Sequence, residues 1–117
     1  MIAVAGGADT QHIVSADVIS ELGPGGYLIN IARGSAVDSQ ALTRALQTRT
    51  IAGAALDVFA IEPCFPEELS ALENVVLLPH IGTATNETRA AMGELVIDNL
   101  HAFFDTGHVL TPVPEAV

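Results

Sequence analysis

Residues 27–34 read YLINIARG, an apolar run that passes directly into an arginine and a glycine. Two later stretches follow the same plan, IAGAALD at residues 51–57 and VVLLPHIG at residues 75–82. Short, continuous aliphatic runs are typical of strands that are covered on both faces, as in a parallel sheet. A polar residue follows each run within two positions. These three stretches decide the predicted fold.

Apolar residues at helical spacing predict helices between the strands. Ser15 is suited to begin a short helix that buries Val18, Ile19 and Leu22. Asp38 is suited to begin a second helix, which ends near residue 47 and turns its leucines towards the sheet. Because helical crossovers connect parallel strands, this alternation predicts an α/β fold with a parallel sheet.

Three other segments complete the predicted order of elements. Residues 2–5 are a short aliphatic run before a pair of glycines and are predicted to form a first strand. Residues 58–72, punctuated by two prolines, are predicted to be irregular. Residues 85–105 are predicted to form a long helix, with Gly107 as its C-terminal stop.

The composition of the chain excludes several classes of function. Its 117 residues include 4 arginines, no lysine and 14 acidic residues, which give a formal net charge of −10. We therefore expect no nucleic-acid partner and no binding to an anionic membrane, because both need a cationic surface. No apolar run is long enough to span a membrane, and the apolar share of 50% excludes a disordered chain. The lone Cys64 indicates a reducing, cytoplasmic environment.

Candidate functional residues follow the predicted strands. Arg33, Asp57 and His80 each come shortly after an apolar run, and ligands of open parallel sheets bind outside the carboxyl ends of the strands. The Arg33 guanidinium can bind a substrate carboxylate through two parallel hydrogen bonds, or it can form an ion pair within the protein. Asp57 could accept a hydrogen bond from the carboxamide of a nicotinamide ring, cap a helix or form a salt bridge.

His80 is a candidate acid–base residue. A lone histidine is more often a structural residue, but Glu62 lies in the loop that follows Asp57. A carboxylate that binds a histidine holds its tautomer and favours the protonated ring. With Arg33 to bind a carboxylate, this pair suits a proton transfer at the adjacent carbonyl or hydroxyl group. The spacing of histidine and cysteine residues predicts no metal site.

Four segments, in this order, carry a resemblance to a known family. They are VAGGADTQHIV at residues 4–14, GGYLINIARGSAVD at 25–38, IAGAALDVFAIEP at 51–63 and NVVLLPHIGTATNETRAAM at 74–92. Together they resemble the D-isomer-specific 2-hydroxyacid dehydrogenases, and most of all the glyoxylate/hydroxypyruvate reductase branch. The resemblance implies that residues 1–117 are part of an NAD(P)-binding domain, the second half of a Rossmann-like doubly wound parallel sheet.

The resemblance also implies a reaction and a set of site residues. The reaction is reduction of a small 2-oxo acid, such as glyoxylate, hydroxypyruvate or an aryl-pyruvate, to the D-2-hydroxy acid with NAD or NADP as cofactor. Arg33 would bind the substrate carboxylate, Glu62 would support the histidine, and His80 would contact the substrate and donate a proton. Cofactor contacts are implied for Ile31, Ala32, Arg33, Asp57, His80 and Gly82. A homodimer is implied for the full-length protein.

Two parts that the resemblance implies are missing from the sequence, a Gly-x-Gly-x-x-Gly loop and a separate substrate domain. We therefore expect a fragment of a longer protein, which alone binds NAD(P)H weakly and turns over no 2-oxo acid. The alternative function is non-catalytic: a fragment that pairs with a full-length subunit, or a nucleotide-sensing, corepressor-like binding protein. The presence of Arg33, Glu62 and His80 together favours the enzyme.

Overall fold

A computed structural model describes residues 1–64 and 66–113 of the chain. Phe65, which falls in the stretch predicted to be irregular, and residues 114–117 lie outside the described residues. The chain divides into two compact units, residues 1–82 and residues 83–117, and each is described by itself.

Three parallel strands form the sheet of the first unit. They are β1 (Tyr27–Asn30), β2 (Gly53–Leu56) and β3 (Val75–Leu77), in the spatial order β1-β2-β3. Each strand lies within one of the three apolar stretches of the sequence. The predicted α/β fold with a parallel sheet is therefore confirmed.

The register of the sheet places the carboxyl ends of the three strands level with one another. Asn30 pairs with Leu56, and Leu56 pairs with Leu77. The hydrogen bonding continues one step further, because the Asp57 N–H donates to the Asn30 carbonyl at 3.0 Å and the Leu78 N–H donates to the Leu56 carbonyl at 2.9 Å. The loops that follow the strands therefore leave the sheet at one edge.

Two helices of the first unit begin at side-chain caps, α1 before β1 and α2 between β1 and β2. Helix α1 (Ala16–Glu21) begins at Ser15, as predicted, and the serine side chain accepts a backbone hydrogen bond from the first turn at 3.5 Å. Helix α2 (Ser39–Gln47) begins at Asp38, also as predicted, and its Oδ1 accepts a backbone N–H at 2.9 Å. The caps satisfy helix N–H groups that have no carbonyl partner. The helices and the sheet share one core, which includes Ile19, Leu28, Leu42, Leu46, Ile51 and Leu56.

The predicted first strand is wrong. Residues 2–5 contribute a single parallel bridge, in which Ile2 pairs with Asn30 beside β1. The Ile2 N–H donates to the Ile29 carbonyl at 2.8 Å, and the Ile31 N–H donates to the Ile2 carbonyl at 3.3 Å. An aliphatic run alone does not make a strand, because a strand also needs a continuous ladder of hydrogen bonds.

Burial in α1 and the structure of the loop after β2 also differ from the prediction. Of the three residues predicted to be buried, only Ile19 is, whereas Val18 and the C-cap residue Leu22 remain 47% and 40% exposed, because a helix of 6 residues turns only a narrow face to the core. A short helix, α3 (Glu67–Ser70), lies in the stretch predicted to be irregular and begins after Pro66. Two short 3₁₀ helices, Ala8–Thr10 and Gly34–Ala36, follow Gly7 and Arg33.

One long helix dominates the second unit. Helix α4 (Asn86–Thr106) agrees closely with the predicted helix over residues 85–105. It begins at Thr85, whose hydroxyl accepts a backbone N–H at 3.2 Å, and it ends at Gly107 in the left-handed conformation that glycine adopts without strain (φ 78°). Across the described ranges, none of the helices combines the length and apolar character that crossing a membrane requires.

Candidate active site

The structure brings His80 and Glu62 into direct contact at the carboxyl edge of the sheet. His80 Nδ1 lies 2.8 Å from Glu62 Oε2. The two side chains are 45% and 34% exposed, so the pair is accessible from solvent. Since a carboxylate can only accept, Nδ1 carries the proton in this contact and Nε2 is left for another partner.

The other oxygen of Glu62 is fixed by its own loop. Glu62 Oε1 accepts a hydrogen bond from the Phe59 N–H at 3.1 Å. The hydrogen bond with His80 is the largest cause that lowers the pKa of Glu62 from its ordinary value of 4.5, followed by the Phe59 hydrogen bond and the positive charges of His80 and Arg33; partial desolvation acts in the opposite direction. The glutamate is therefore held as a carboxylate that faces the imidazole.

Asp57 holds the backbone that follows His80. Its carboxylate is 4% exposed and accepts hydrogen bonds from the Ile81 N–H at Oδ1 and from the Gly82 N–H at Oδ2, both at 2.8 Å. His80 has a left-handed backbone (φ 56°), which is unfavourable for a residue with a Cβ atom. The two amide contacts hold the chain in that turn, so Asp57 helps to place the imidazole beside Glu62.

Neither of the conventional structural roles considered for Asp57 is seen in the described part of the chain, because it caps no helix and forms no salt bridge there. Gly82 suits the two hydrogen bonds of the Asp57 carboxylate, because a Cβ atom at Gly82 would lie only 2.9 Å from Asp57 Oδ2. The predicted cofactor roles of Asp57 and Gly82 stay predictions.

Arg33 lies in the loop that follows β1 at the same edge of the sheet, and residues 31–34 are called the arginine loop below. Its Nη1 donates to the Ala32 carbonyl at 2.7 Å, and its charge acts on the Glu62 carboxylate. The loop lies against the chain that follows β2, because a Cβ atom at Gly34 would meet the Phe59 carbonyl carbon at 1.9 Å. This close approach brings the arginine loop to the loop that carries Glu62.

The remaining residues with predicted cofactor contacts lie beside Arg33. Ile31 is 49% exposed directly after β1, and its N–H donates to the Ile2 carbonyl. Ala32 is buried, and both its N–H and its carbonyl are bound within the chain. Among the described residues no cluster of three or more metal-ligating side chains occurs.

Sequence reasoning missed two residues that shape the site. Asn30 is 1% exposed and binds the backbone of the arginine loop with both ends of its carboxamide. Gly34 permits the close approach of the two loops. The signal for Asn30 was a single polar residue inside an apolar run. Gly34 carried no signal beyond its position after an arginine.

Comparison with known proteins identifies the family. The family model described as "D-isomer specific 2-hydroxyacid dehydrogenase, NAD binding domain" matches residues 1–82. The chain belongs to this family. The family that the resemblance of the sequence implied is thus confirmed, and its match coincides with the α/β unit described above.

Individual relatives of the chain agree with that family. Glyoxylate/hydroxypyruvate reductase A HPR2 of Arabidopsis thaliana is 57% identical over 104 residues, which are 89% of this chain and 33% of the relative. Hydroxyphenylpyruvate reductase of Plectranthus scutellarioides is 53% identical over 105 residues, which are 90% of this chain and 34% of the relative. The chain therefore spans about a third of the length of these curated relatives.

A solved structure has nearly the same fold over this region. It is the NADPH-dependent glyoxylate/hydroxypyruvate reductase of Sinorhizobium meliloti in complex with NADP and malonate. The TM-score is 0.93 at 57% sequence identity, and the match covers 97% of this chain and 35% of that chain.

Proposed function

We propose that the whole protein reduces a small 2-oxo acid to the D-2-hydroxy acid with NAD(P)H, and that Arg33, Glu62 and His80 are its catalytic residues. The observation that carries the proposal is the 2.8 Å contact between His80 and Glu62 at the sheet edge that also holds Arg33. The names of the relatives support glyoxylate, hydroxypyruvate or an aryl-pyruvate such as hydroxyphenylpyruvate as substrate.

Each of the three residues has a distinct task in this reaction. The planar guanidinium of Arg33 binds the substrate carboxylate with two hydrogen bonds and so orients the neighbouring carbonyl group. Glu62 holds the proton on His80 Nδ1 and stabilises the positively charged ring. His80 Nε2 then donates a proton to the carbonyl oxygen as negative charge develops there, and in the reverse direction it accepts the hydroxyl proton.

The residues present fit the nicotinamide end of the cofactor. Ile31, 49% exposed at the carboxyl edge, offers an apolar surface where dinucleotides bind to open parallel sheets. A bound NAD(P)H supplies the hydride. We assign the cofactor contacts to Ile31, Ala32, Arg33, Asp57, His80 and Gly82. A further contact at the Asp57 carboxylate is compatible with its two backbone hydrogen bonds, because each oxygen has two lone pairs.

The pyrophosphate end of the cofactor needs a Gly-x-Gly-x-x-Gly loop, and these 117 residues contain none. A chimera supplies that loop: residues 1–113 replace the matching third of the Arabidopsis reductase, and NAD(P)H consumption is measured with glyoxylate and hydroxypyruvate. We expect an active chimera.

Substitutions in the chimera test the assigned roles. His80→Gln should lower kcat by about 10²- to 10⁴-fold, the usual contribution of general acid–base catalysis, and should leave NAD(P)H binding nearly unchanged. Arg33→Gln should raise KM for the 2-oxo acid. His101→Gln, which alters an exposed histidine of α4, is the matched control and should be active. A chimera that binds NAD(P)H but reduces no 2-oxo acid would contradict the enzyme and favour the non-catalytic alternative.

Three further properties belong to the same proposal. We infer a homodimer for the whole protein, a cytoplasmic location and no nucleic-acid partner. The free, exposed Cys64 supports a reducing compartment, and the net charge of −10 disfavours binding to phosphate backbones. Size-exclusion chromatography with light scattering tests the dimer.

A further inference from the structure

Asn30 is the last residue of β1 and the most deeply buried polar side chain in the described part of the chain, with 1% of its surface exposed. It lies on the same face of the strand as Leu28, which is packed in the core. A carboxamide in such a position costs free energy unless all its polar atoms are bound. Its burial therefore needs an explanation in terms of its partners.

Both partners of the Asn30 side chain belong to the arginine loop. Its Oδ1 accepts the Ala32 N–H at 3.0 Å, and its Nδ2 donates to the Arg33 carbonyl at 3.0 Å. The side chain thus closes two rings over the three residues that follow it and fixes where the backbone of Arg33 leaves the sheet. An aliphatic side chain would remove both hydrogen bonds, which leaves the buried Ala32 N–H without this acceptor and the Arg33 carbonyl with only the Ala36 N–H, at 3.1 Å.

The Arg33 side chain is confined on its other side by Gly6. A Cβ atom at Gly6 would lie 2.8 Å from Arg33 Cγ and 3.6 Å from Cδ, so the aliphatic part of the arginine lies directly on the glycine backbone. The guanidinium then folds back to the Ala32 carbonyl, with 2.7 Å between Nη1 and that oxygen. Asn30 thus binds the backbone of Arg33, Gly6 lies against the aliphatic part of its side chain, and the Ala32 carbonyl binds its guanidinium.

We infer that Asn30 is a positioning residue for Arg33: its buried carboxamide holds the arginine loop in the conformation that presents the guanidinium to the substrate carboxylate. The inference rests on the proposed function, because it concerns how that carboxylate is bound. Asn30 itself touches no reacting atom, and its effect passes through the backbone of residues 32 and 33.

The test uses the isotope-labelled chimera, which supplies the parts that these 117 residues lack, and oxalate, a carboxylate probe that cannot be reduced by NAD(P)H. Two-dimensional NMR follows the Arg33 Nε–H signal during an oxalate titration, and hydrogen exchange follows the Ala32 amide. Asn30→Leu removes both hydrogen bonds. Asn30→Ser keeps a hydroxyl that can still accept the Ala32 N–H, because serine forms the same kind of turn more weakly. Leu28→Ala is the matched control, since it disturbs the same buried face of β1 but removes no hydrogen bond to the loop.

We expect Asn30→Leu to weaken oxalate binding about tenfold and Asn30→Ser about threefold, as the loss of two hydrogen bonds or one suggests. Exchange of the Ala32 amide should accelerate in the leucine variant. Leu28→Ala should lower stability but leave the oxalate affinity within about twofold of the wild type. If Asn30→Leu does not fold, the serine variant carries the comparison by itself.

Two results overturn different claims. A folded Asn30 variant that binds oxalate as the wild type does, with an unchanged Arg33 Nε–H signal, would overturn the positioning role. A chimera with Asn30 intact whose Arg33 signal does not respond to oxalate would overturn the proposed function of Arg33. In that case faster Ala32 exchange in Asn30→Leu would still show that Asn30 holds the loop.

Discussion

Gly34→Ala is the sharpest single perturbation of the site, because it separates the two loops that carry the candidate catalytic residues. The added Cβ atom would lie 1.9 Å from the Phe59 carbonyl carbon, 2.1 Å from its oxygen and 2.4 Å from the Ala60 nitrogen. All three neighbours are backbone atoms, so no side-chain rotation relieves the overlap. To bring the new Cβ atom and the Phe59 carbonyl carbon to an ordinary contact distance of 3.4 Å or more, one loop must move by roughly 1.5 Å relative to the other.

The cost of that movement follows from the behaviour of overpacked interiors. Overpacking usually destabilises by about 1–3 kcal/mol, and an overlap with rigid backbone belongs at the upper end of that range. In a domain of this size, about 3 kcal/mol lowers the melting temperature by roughly 12–24 °C. We expect urea and thermal unfolding of Gly34→Ala to show this loss.

Gly7→Ala is the matched control, because no heavy atom lies within 4 Å of a Cβ atom at that position. Its stability should stay within about 0.5 kcal/mol of the wild type. The loop displacement itself has a separate measure, since the Phe59 amide should lose part of its protection when its hydrogen bond to Glu62 is strained. A Gly34→Ala variant as stable as Gly7→Ala, with a protected Phe59 amide, would refute the reasoning.

Three other predictions concern the hydrogen bonds of Asp57, the carboxylate of Glu62 and helix α4. Asp57→Asn replaces one acceptor with a donor that faces a backbone N–H, so it should lower the free energy of unfolding by about 1–3 kcal/mol and speed hydrogen exchange at Ile81 or Gly82. Unchanged exchange at both amides would contradict the role of Asp57 in holding this backbone. The pKa of Glu62 is lowered in the folded state, so its stabilising effect is complete above pH 4.5 and is lost as the pH falls through the lowered pKa. The difference in urea midpoint between wild type and Glu62→Gln should therefore shrink on acidification, and a constant difference would contradict this stabilising effect of the carboxylate. Gly93→Ala in α4 meets no atom within 4 Å and should raise stability by about 0.5–1 kcal/mol, which a lower thermal midpoint would disprove.

The three strands of the sheet and the helices that begin at side-chain caps were predictable, because the sequence signals for them are local. The apolar runs before Arg33 and Asp57 coincide with β1 and β2. Caps at Ser15 and Asp38 marked the starts of α1 and α2, since a side chain that accepts a backbone N–H acts within one turn. The ends of the apolar runs pointed to Arg33, Asp57 and His80. The family resemblance added Ile31, Ala32 and Gly82.

Features that depend on distant partners were not predictable. The run at residues 2–5 has strand-like composition, but it bridges to β1 at one residue only. Asn30 has a polar side chain whose meaning depends on a loop that folds back over it, and Gly34 is required by a segment 25 residues further along the chain. The sequence does not display such contacts, because they arise only when separate segments meet.

The level ends of β1, β2 and β3 have a consequence for where harmful substitutions occur. A slip of one residue between neighbouring strands would shift the arginine relative to the histidine by about 3.3 Å and turn every side chain of the strand to the opposite face. After such an offset the two side chains could not act together on adjacent atoms of one small ligand. Pairing positions such as Ala54 and Val75, at the opposite end of the strands from these side chains, therefore set the spacing of the chemical groups as firmly as the residues that touch them.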